Sequence, residues 1–177
     1  MLNKFAFDKY DIALITDEKE RLYYLGFHST AGYAVVTRTS VSFVVDNRYF
    51  KAAEKNLSKK GVKVISGADY SALTKIAEES GAKTLGIDFT KVTIAEYENL
   101  KKLGYDYADI SSELTAMAAI KSDEELKYIK KACDIAEKSW LNVLPFIKEG
   151  ITEKQLAAEL EYNFRKLGAG GTSFDTI

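Results

Sequence analysis

Few side chains in this chain could do chemistry. Its single histidine, His28, lies in a loop of small and polar residues, 25–32, between two predicted strands. A loop histidine can hydrogen-bond a carboxylate or take up a proton near neutral pH, although most such histidines are simply solvated. The sequence therefore leaves two interpretations of His28, a substrate contact and a solvated surface side chain.

The other reactive residue types favour structural roles. The lone cysteine, Cys133, falls on an apolar helical stripe, where burial would make the thiol inert. Residues 123–125 are acidic, but they occupy the first turn of a predicted helix, where the helix dipole favours negative charge. Residues 168–171, Gly-Ala-Gly-Gly, follow a helix rather than a strand, which predicts a turn and not a phosphate loop. His-x-Glu, His-Glu-x-x-His and Cys-x-x-Cys patterns are absent, so no metal ligand is predicted.

Aromatic residues cluster around the His28 loop. The chain contains 11 tyrosines, and most of them fit the faces of predicted strands or helices. The alternative for the aromatic residues nearest the loop is a recognition surface, which would consist of Tyr23, Tyr24, Phe27 and Tyr33.

Composition limits the classes of partner. The 25 basic and 26 acidic residues are well mixed and give a net charge of −1, so there is no basic stripe for nucleic acid. No apolar run approaches the roughly 20 residues that span a bilayer. The N-terminal residues 1–5 lack the apolar segment of an export signal. A single cysteine excludes an internal disulfide framework and fits a reducing compartment. We therefore expect a cytoplasmic protein without nucleic-acid or membrane partners.

Strand and helix patterns alternate over the first two thirds of the chain. The β-branched runs at 33–37 and 41–45 are close enough to form a hairpin, which predicts a mixed sheet rather than a purely parallel one. Strands alternating with helices predict an α/β sheet with covering helices. The predicted strands are 11–16, 33–37, 41–45, 62–65, 84–87 and 106–110, the last at an edge, and the predicted helices are about 47–57, 70–80 and 93–102.

The remaining third predicts two amphipathic helices. Residues 111–119 carry few signals, so the boundary is placed there and gives domains 1–118 and 119–177. Ser122 and Glu125 form a capping-box pattern that begins a helix of about seven turns, ending at Gly150, with Pro145 weakening its last turn. Its buried stripe, at spacings of three and four residues, is predicted to be Leu126, Ile129, Cys133, Ala136, Trp140, Val143 and Ile147.

A second capping-box pattern follows almost immediately. Thr152 and Gln155 begin a helix that ends at Gly168, and a strand is expected to start near Ser173. A short link centred on Gly150 predicts that the two helices pack as a hairpin. Because two such helices cannot bury both apolar faces alone, we expect a sheet to cover them.

Five segments together resemble a known family. They are 23–32 (Tyr-Tyr-Leu-Gly-Phe-His-Ser-Thr-Ala-Gly), 44–49 (Val-Val-Asp-Asn-Arg-Tyr), 120–126 (Ile-Lys-Ser-Asp-Glu-Glu-Leu), 150–153 (Gly-Ile-Thr-Glu) and 168–177 (Gly-Ala-Gly-Gly-Thr-Ser-Phe-Asp-Thr-Ile). These are similar to motifs of the Xaa-Pro aminopeptidases and Xaa-Pro dipeptidases (prolidases) of the pita-bread metallopeptidase group. The first segment departs from the family pattern because it lacks the threonine usually found between the leucine and the glycine.

The resemblance implies a fold and an activity. The fold is a creatinase-like N-terminal α/β domain at 1–118, followed at 119–177 by the truncated start of a pita-bread (α+β) domain. Family members hydrolyse peptide bonds involving proline with two divalent metal ions (Mn, Co or Zn), held by ligands downstream of the segment similar to 173–175. Asp175 lies too early to be one of them. The resemblance thus implies a peptidase fragment without metal ligands, inactive alone.

Further expectations come from the same resemblance. In such enzymes the N-terminal domain mediates homodimerisation, and its Gly-Phe loop leans over the neighbouring subunit's active site. By this analogy His28 is the candidate substrate contact, and a proline-containing peptide is the substrate of the complete enzyme. Two alternatives are a non-peptidase relative of the creatinase or pita-bread type, and a stand-alone binding or dimerisation module.

Overall fold

The computed structural model describes residues 5–176. The chain divides into two compact units, Met1–Ile120 and Lys121–Ile177. Met1–Lys4 and Ile177 lie outside the described residues. Met1–Lys4 make up most of the N-terminal segment in which no export signal was predicted, and Ile177 is the last residue of the expected C-terminal strand. None of the helices in the described part combines the length and apolarity that crossing a membrane requires.

A mixed sheet forms the centre of the first unit. Within residues 5–120 the six strands are β1 (Ile12–Ile15), β2 (Tyr33–Val36), β3 (Val41–Val45), β4 (Val62–Ser66), β5 (Thr84–Ile87) and β6 (Asp106–Asp109). Their order in the sheet is β4-β3-β2-β1-β5-β6, in which β1–β2 and β2–β3 pair antiparallel and the other neighbours pair parallel. This confirms the predicted hairpin, the mixed sheet and the edge position of the last strand.

Five α-helices of the described first unit flank this sheet. They are α1 (Glu18–Leu25), α2 (Asn47–Leu57, followed by a 3-10 turn Ser58–Lys60), α3 (Ser71–Ser80), α4 (Ile94–Lys101) and α5 (Ser111–Ala119). The three predicted helices, α2, α3 and α4, are confirmed, whereas α1 and α5 were not predicted. The helix α1 is capped by Asp17, whose side chain accepts from the amides of Lys19 and Glu20 at 3.0 Å each. The helix α5 occupies the stretch interpreted as a transition between domains.

The core of the first unit lies on both faces of the sheet. Strand alternation sends Ala13 and Ile15 of β1 to one face and Ile12 and Leu14 to the other. The first face packs against α1, α2 and α5, and the second against α3 and α4. Because β1, β2 and β3 are covered on both faces, every residue in them is buried, which explains their continuous apolar runs.

The second unit contains two capped helices. They are α6 (Asp123–Val143), followed by a 3-10 turn Leu144–Phe146, and α7 (Glu153–Lys166), and both predicted capping boxes are present. The predicted seven-turn length of α6 is wrong, because the α-helix ends at Val143, ahead of Pro145. The two helices pack against each other, with the Asn142 side-chain amide donating to Asn163 Oδ1 at 3.1 Å. The strand expected near Ser173 is not formed by residues 173–176.

The predicted buried stripe of α6 is also wrong. Leu126, Ile129 and Trp140 are 51%, 46% and 49% exposed, and Cys133 is exposed rather than packed in a core. Of the predicted stripe only Val143 is fully buried. Ser139, which was not predicted to be buried, is also fully buried. The periodicity located an apolar face correctly, but α7 covers the neighbouring face instead.

Candidate functional site

The His28 loop connects α1 to β2 at the surface of the first unit. Gly26 ends α1 in the left-handed conformation, with φ of 66°, and its amide donates to Leu22 O at 2.8 Å. His28 points into solvent, where its Nε2 lies 2.9 Å from Glu18 Oε1, and the two side chains are 63% and 44% exposed. With Nε2–H donating to Glu18, Nδ1 is left as an acceptor in the neutral imidazole and as a second donor in the protonated form.

A buried arginine holds this loop against the sheet. Arg21 is 3% exposed. Its guanidinium donates to Ser29 O at 2.8 Å and to Thr16 O. It therefore ties the loop to the residue that follows β1. Burial lowers the pKa of Arg21, and the nearby carboxylates of Glu18 and Asp17 oppose that shift, so the group stays charged.

Two further contacts fix the second half of the loop. The Thr30 hydroxyl lies 2.9 Å from the Tyr49 hydroxyl, on the first turns of α2, and this hydrogen bond is the main cause that lowers the pKa of Tyr49. Asp46 caps α2 by accepting from the Arg48 amide at 2.9 Å and also pairs with the Arg48 guanidinium at 2.6 Å. The loop thus rests on α1 through Arg21 and on α2 through Tyr49.

A small cleft of about 230 Å³ opens beside the loop. Asp46 places a carboxylate at its wall, and the hydroxyl of Tyr33 donates to Asp69 O at 2.7 Å. Burial raises the pKa of Tyr33 to about 12, so its phenol stays a donor. His28 does not line this cleft, whose lining residues are Ala31, Gly32, Tyr33, Asp46, Gly67, Ala68 and Tyr70. The cleft and the imidazole are separate features of one loop.

The aromatic recognition surface is not formed as a unit. Tyr24 and Tyr33 are 5% and 6% exposed and belong to the cores on the two faces of the sheet. Phe27 packs edge-on against Phe43, with ring centroids 6.1 Å apart, and Tyr23 donates to Met117 O at 2.7 Å. The four rings therefore take part in core packing or hydrogen bonding within the first unit and do not form one exposed surface. Burying an aromatic ring stabilises the fold more than leaving it in water.

A pair of carboxyl groups that the sequence did not indicate joins Glu20, in the first turn of α1, to Asp88, the residue after β5. Burial, followed by a hydrogen bond to Asp88 and the charge of Asp88, raises the pKa of Glu20 to about 8. Burial disfavours the charge on Asp88, but hydrogen bonds from Thr90 and Glu20 outweigh it and hold the pKa of Asp88 below its ordinary value. At neutral pH Glu20 is therefore the protonated member that donates to Asp88.

This pair makes the stability of the first unit depend on pH. Because the pKa of Glu20 is raised on folding, its contribution is complete at acid pH and is lost as pH rises from about 4.5 to about 8. Glu20→Gln keeps a donor for Asp88 without the titration. We expect it to be more stable than the unchanged chain by about 1–2 kcal/mol near pH 9 and no more stable near pH 5.

Urea unfolding followed by circular dichroism over this pH range measures the difference. Glu79→Gln, at an exposed position of α3, is the matched control and should leave the pH profile unchanged. If the free energy of unfolding varied with pH in the same way for the unchanged chain and for Glu20→Gln, the raised pKa of Glu20 beside Asp88 would be contradicted. Asp88 does not affect this window, since its lowered pKa acts only at more acidic pH.

No metal centre can be assembled from the residues described. Among residues 5–176 no group of three or more His, Cys, Asp or Glu side chains is placed to hold a metal ion. The acidic residues Asp123 and Glu124 are exposed in the first turn of α6, and Glu125 completes its capping box. Residues 168–171 form a turn after α7, with Gly168 at φ of 97°.

Sequence reasoning missed α1 and with it Arg21 and Glu20. The available signal was Asp17 followed three residues later by Glu20, a pattern typical of a helix N-terminus. It was overlooked because α1 is only 8 residues long and half charged. Nothing in the sequence indicated the Glu20–Asp88 contact, since it joins two elements 68 positions apart in the numbering.

The chain matches two family models. Residues 2–120 match the creatinase/prolidase N-terminal domain, and residues 127–177 match metallopeptidase family M24. Among curated proteins, an uncharacterized peptidase of Bacillus subtilis is 32% identical over 94% of this chain and 48% of its own length. An Xaa-Pro dipeptidase of Pyrococcus horikoshii is 31% identical over 93% of this chain and 46% of its own length.

A solved structure is similar over the same span. The Xaa-Pro dipeptidase from Bacillus anthracis superposes with a TM-score of 0.88 at 31% identity, covering 96% of this chain and 49% of that one. The chain thus spans about half the length of the curated relatives and the solved structure that it matches.

Proposed function

Because this chain belongs to the creatinase/prolidase N-terminal domain family, we propose that it is part of a metal-dependent Xaa-Pro peptidase, a hydrolase of peptide bonds involving proline. The expected creatinase-like α/β fold is confirmed by the match over residues 2–120. The observation that carries the proposal is the pair of adjoining matches, since 127–177 match a metallopeptidase family. In this proposal 1–118 are the N-terminal domain and 119–177 begin the catalytic domain.

The metal ions of the proposed reaction need ligands from elsewhere. Family M24 implies divalent metal ions, and the candidates are Mn, Co and Zn. The described residues do not fit such ions, because no group of three or more His, Cys, Asp or Glu side chains within 5–176 is placed to hold one. We therefore derive no catalytic step from this chain. We propose that the 177-residue chain alone, supplied with Mn²⁺, Co²⁺ or Zn²⁺, hydrolyses no Xaa-Pro dipeptide. Turnover that active-site titration assigns to the 177-residue chain itself would overturn this.

His28 supports a role in binding the substrate. Its imidazole is exposed on a loop anchored by Arg21 and Tyr49, and its Nε2 lies 2.9 Å from Glu18 Oε1. A protonated imidazole can donate from Nδ1 to a terminal carboxylate of a proline-containing peptide. In a homodimer, which we also propose, the loop would reach the neighbouring subunit's active site. The cytoplasmic location stays a prediction.

The test replaces His28 in an enzyme that contains this chain together with the metal-binding part. We expect His28→Ala to lower kcat/KM for Xaa-Pro dipeptides about tenfold, mainly through KM, since one charge-assisted hydrogen bond is lost. The same change should have little effect on the dipeptide amide, which has no terminal carboxylate. Asn99→Ala, at an exposed position of α4, is the control. An unchanged kcat/KM for the free dipeptide would exclude His28 as a substrate contact.

A further inference from the structure

The cleft beside the His28 loop lies where the connections of the sheet change sides. The strands β3 and β4 are parallel neighbours with Val45 opposite Ser66, so both end at the same edge of the sheet. The helix that follows β3, α2, packs on one face, and the helix that follows β4, α3, packs on the other. These connections diverge and leave a crevice between the two strand ends. In open α/β sheets small ligands bind in crevices of this kind.

The walls of the cleft belong entirely to the first unit. All lining residues lie between positions 31 and 70, at the start of β2, the ends of β3 and β4 and the start of α3. Two of the walls are aromatic, since the rings of Tyr33 and Tyr70 pack together with their centroids 5.2 Å apart. The shape of the cleft is therefore set by the sheet and its own connections, and α6 and α7 contribute nothing to it.

The lining side chains offer hydrogen-bond acceptors but no free donor. The Tyr33 hydroxyl donates to Asp69 O at 2.7 Å, and the Tyr70 hydroxyl donates to Glu96 Oε1 at 3.2 Å. Each phenol has therefore committed its only proton and keeps lone pairs for a ligand. The hydrogen bond from the Arg48 guanidinium lowers the pKa of Asp46, so this wall is a carboxylate at neutral pH. Lysine, arginine and histidine do not occur among the lining residues, so a ligand must bring the donors itself.

We propose that this cleft binds a small organic primary amine in its ammonium form. An ammonium group supplies three donors and a positive charge, which match the Asp46 carboxylate and the phenol oxygens. The rings of Tyr33 and Tyr70 add to the attraction, because aromatic faces bind cations. The cleft volume of about 230 Å³ equals that of about eight water molecules, so the ligand has about eight to ten non-hydrogen atoms. The inference does not depend on the peptidase assignment.

Arg48 competes with the ligand for the same carboxylate. Its guanidinium pairs with Asp46 at 2.6 Å, but its side chain is 69% exposed. An exposed pair of this kind contributes little stability, so an ammonium group can displace it. We therefore expect Arg48→Met to tighten amine binding about threefold, because the carboxylate loses its competitor. Asp46→Asn should weaken binding about tenfold, although asparagine still caps α2 and preserves the fold.

The test compares benzylamine with benzyl alcohol, which has the same number of non-hydrogen atoms but no charge. Each is titrated at neutral pH into the chain labelled with ¹⁵N. Benzylamine should shift the amide signals of Gly32, Gly67 and Ala68 with a Kd of about 1 mM. Benzyl alcohol should bind at least about tenfold more weakly, because it cannot pair with Asp46.

A blocking variant provides the matched control. Ala68→Phe should fill the cleft and abolish the shifts, whereas Ala52→Phe, at an exposed alanine of α2 outside the lining, should not. Far-UV circular dichroism should be unchanged in both. Equal binding of amine and alcohol, indifference to Asp46→Asn, or no saturation by about 20 mM would overturn the proposal. So would loss of benzylamine binding in an enzyme that contains this chain together with the metal-binding part, since the cleft would then be covered.

Discussion

Gly32→Ala will destabilise the first unit by about 3 kcal/mol, the largest effect of a single methyl group that we expect in this chain. Gly32 ends the His28 loop with φ of 103°. A Cβ atom at this position would lie 2.4 Å from Val44 O and 3.3 Å from both Phe43 Cε2 and Val45 Cα. Val44 O belongs to β3, so it cannot retreat without distorting the pairing of β2 with β3.

The matched control separates the two causes of this effect. Gly104 lies in the same unit with φ of 80°, but a Cβ there would meet nothing within 4 Å. Gly104→Ala therefore carries only the cost of the left-handed backbone, about 1 kcal/mol. Urea unfolding followed by far-UV circular dichroism compares the two variants. Equal destabilisation by both would show that close approach to Val44 is not what selects glycine at position 32.

Arg21→Met should destabilise the first unit by about 3 kcal/mol, the second largest effect. Methionine fills much of the volume of the arginine stem, but it leaves the Ser29 and Thr16 carbonyl oxygens without their donor. Arg21→Lys should be intermediate, because one ammonium group cannot reproduce the two-pronged guanidinium contact. Unfolding midpoints in urea measure both variants.

A second measurement identifies the role of Arg21 in the loop. Amide hydrogen exchange of residues 27–31 should accelerate in Arg21→Met more than exchange in α3, since the Ser29 contact holds the loop. Arg48→Met is the control, because Arg48 is an exposed arginine whose partner Asp46 stays solvated, and its unfolding midpoint should barely change. Uniform acceleration across the unit would mean that Arg21 stabilises the fold as a whole and does not specifically hold the loop.

Much of the first unit was predictable because its signals are local. β-branched runs gave the strands β2 and β3, and Asp46 marked the start of α2, since strand and cap preferences act within a few residues. The helix α5 was missed, because residues 111–119 carry no side-chain cap and only one buried position, Leu114.

The second unit shows where local patterns stop being sufficient. The capping boxes of α6 and α7 were predicted correctly, because each depends on residues three positions apart. The apolar stripe of α6 was recognised, but whether it is buried depends on what packs against it, which the helix's own sequence does not specify. The thiol of Cys133 is exposed for this reason.

By itself, the sequence determined the mixed α/β sheet, the helix starts and the resemblance to the Xaa-Pro peptidases, since these depend on the order of neighbouring residues. Only the tertiary structure decided that Arg21 anchors the His28 loop, that Glu20 lies against Asp88 and that most of the apolar stripe of α6 is exposed in the described residues. Each of these depends on which side chains meet across distant elements, because hydrogen bonding, desolvation and burial are set by the packed neighbours and not by position along the chain.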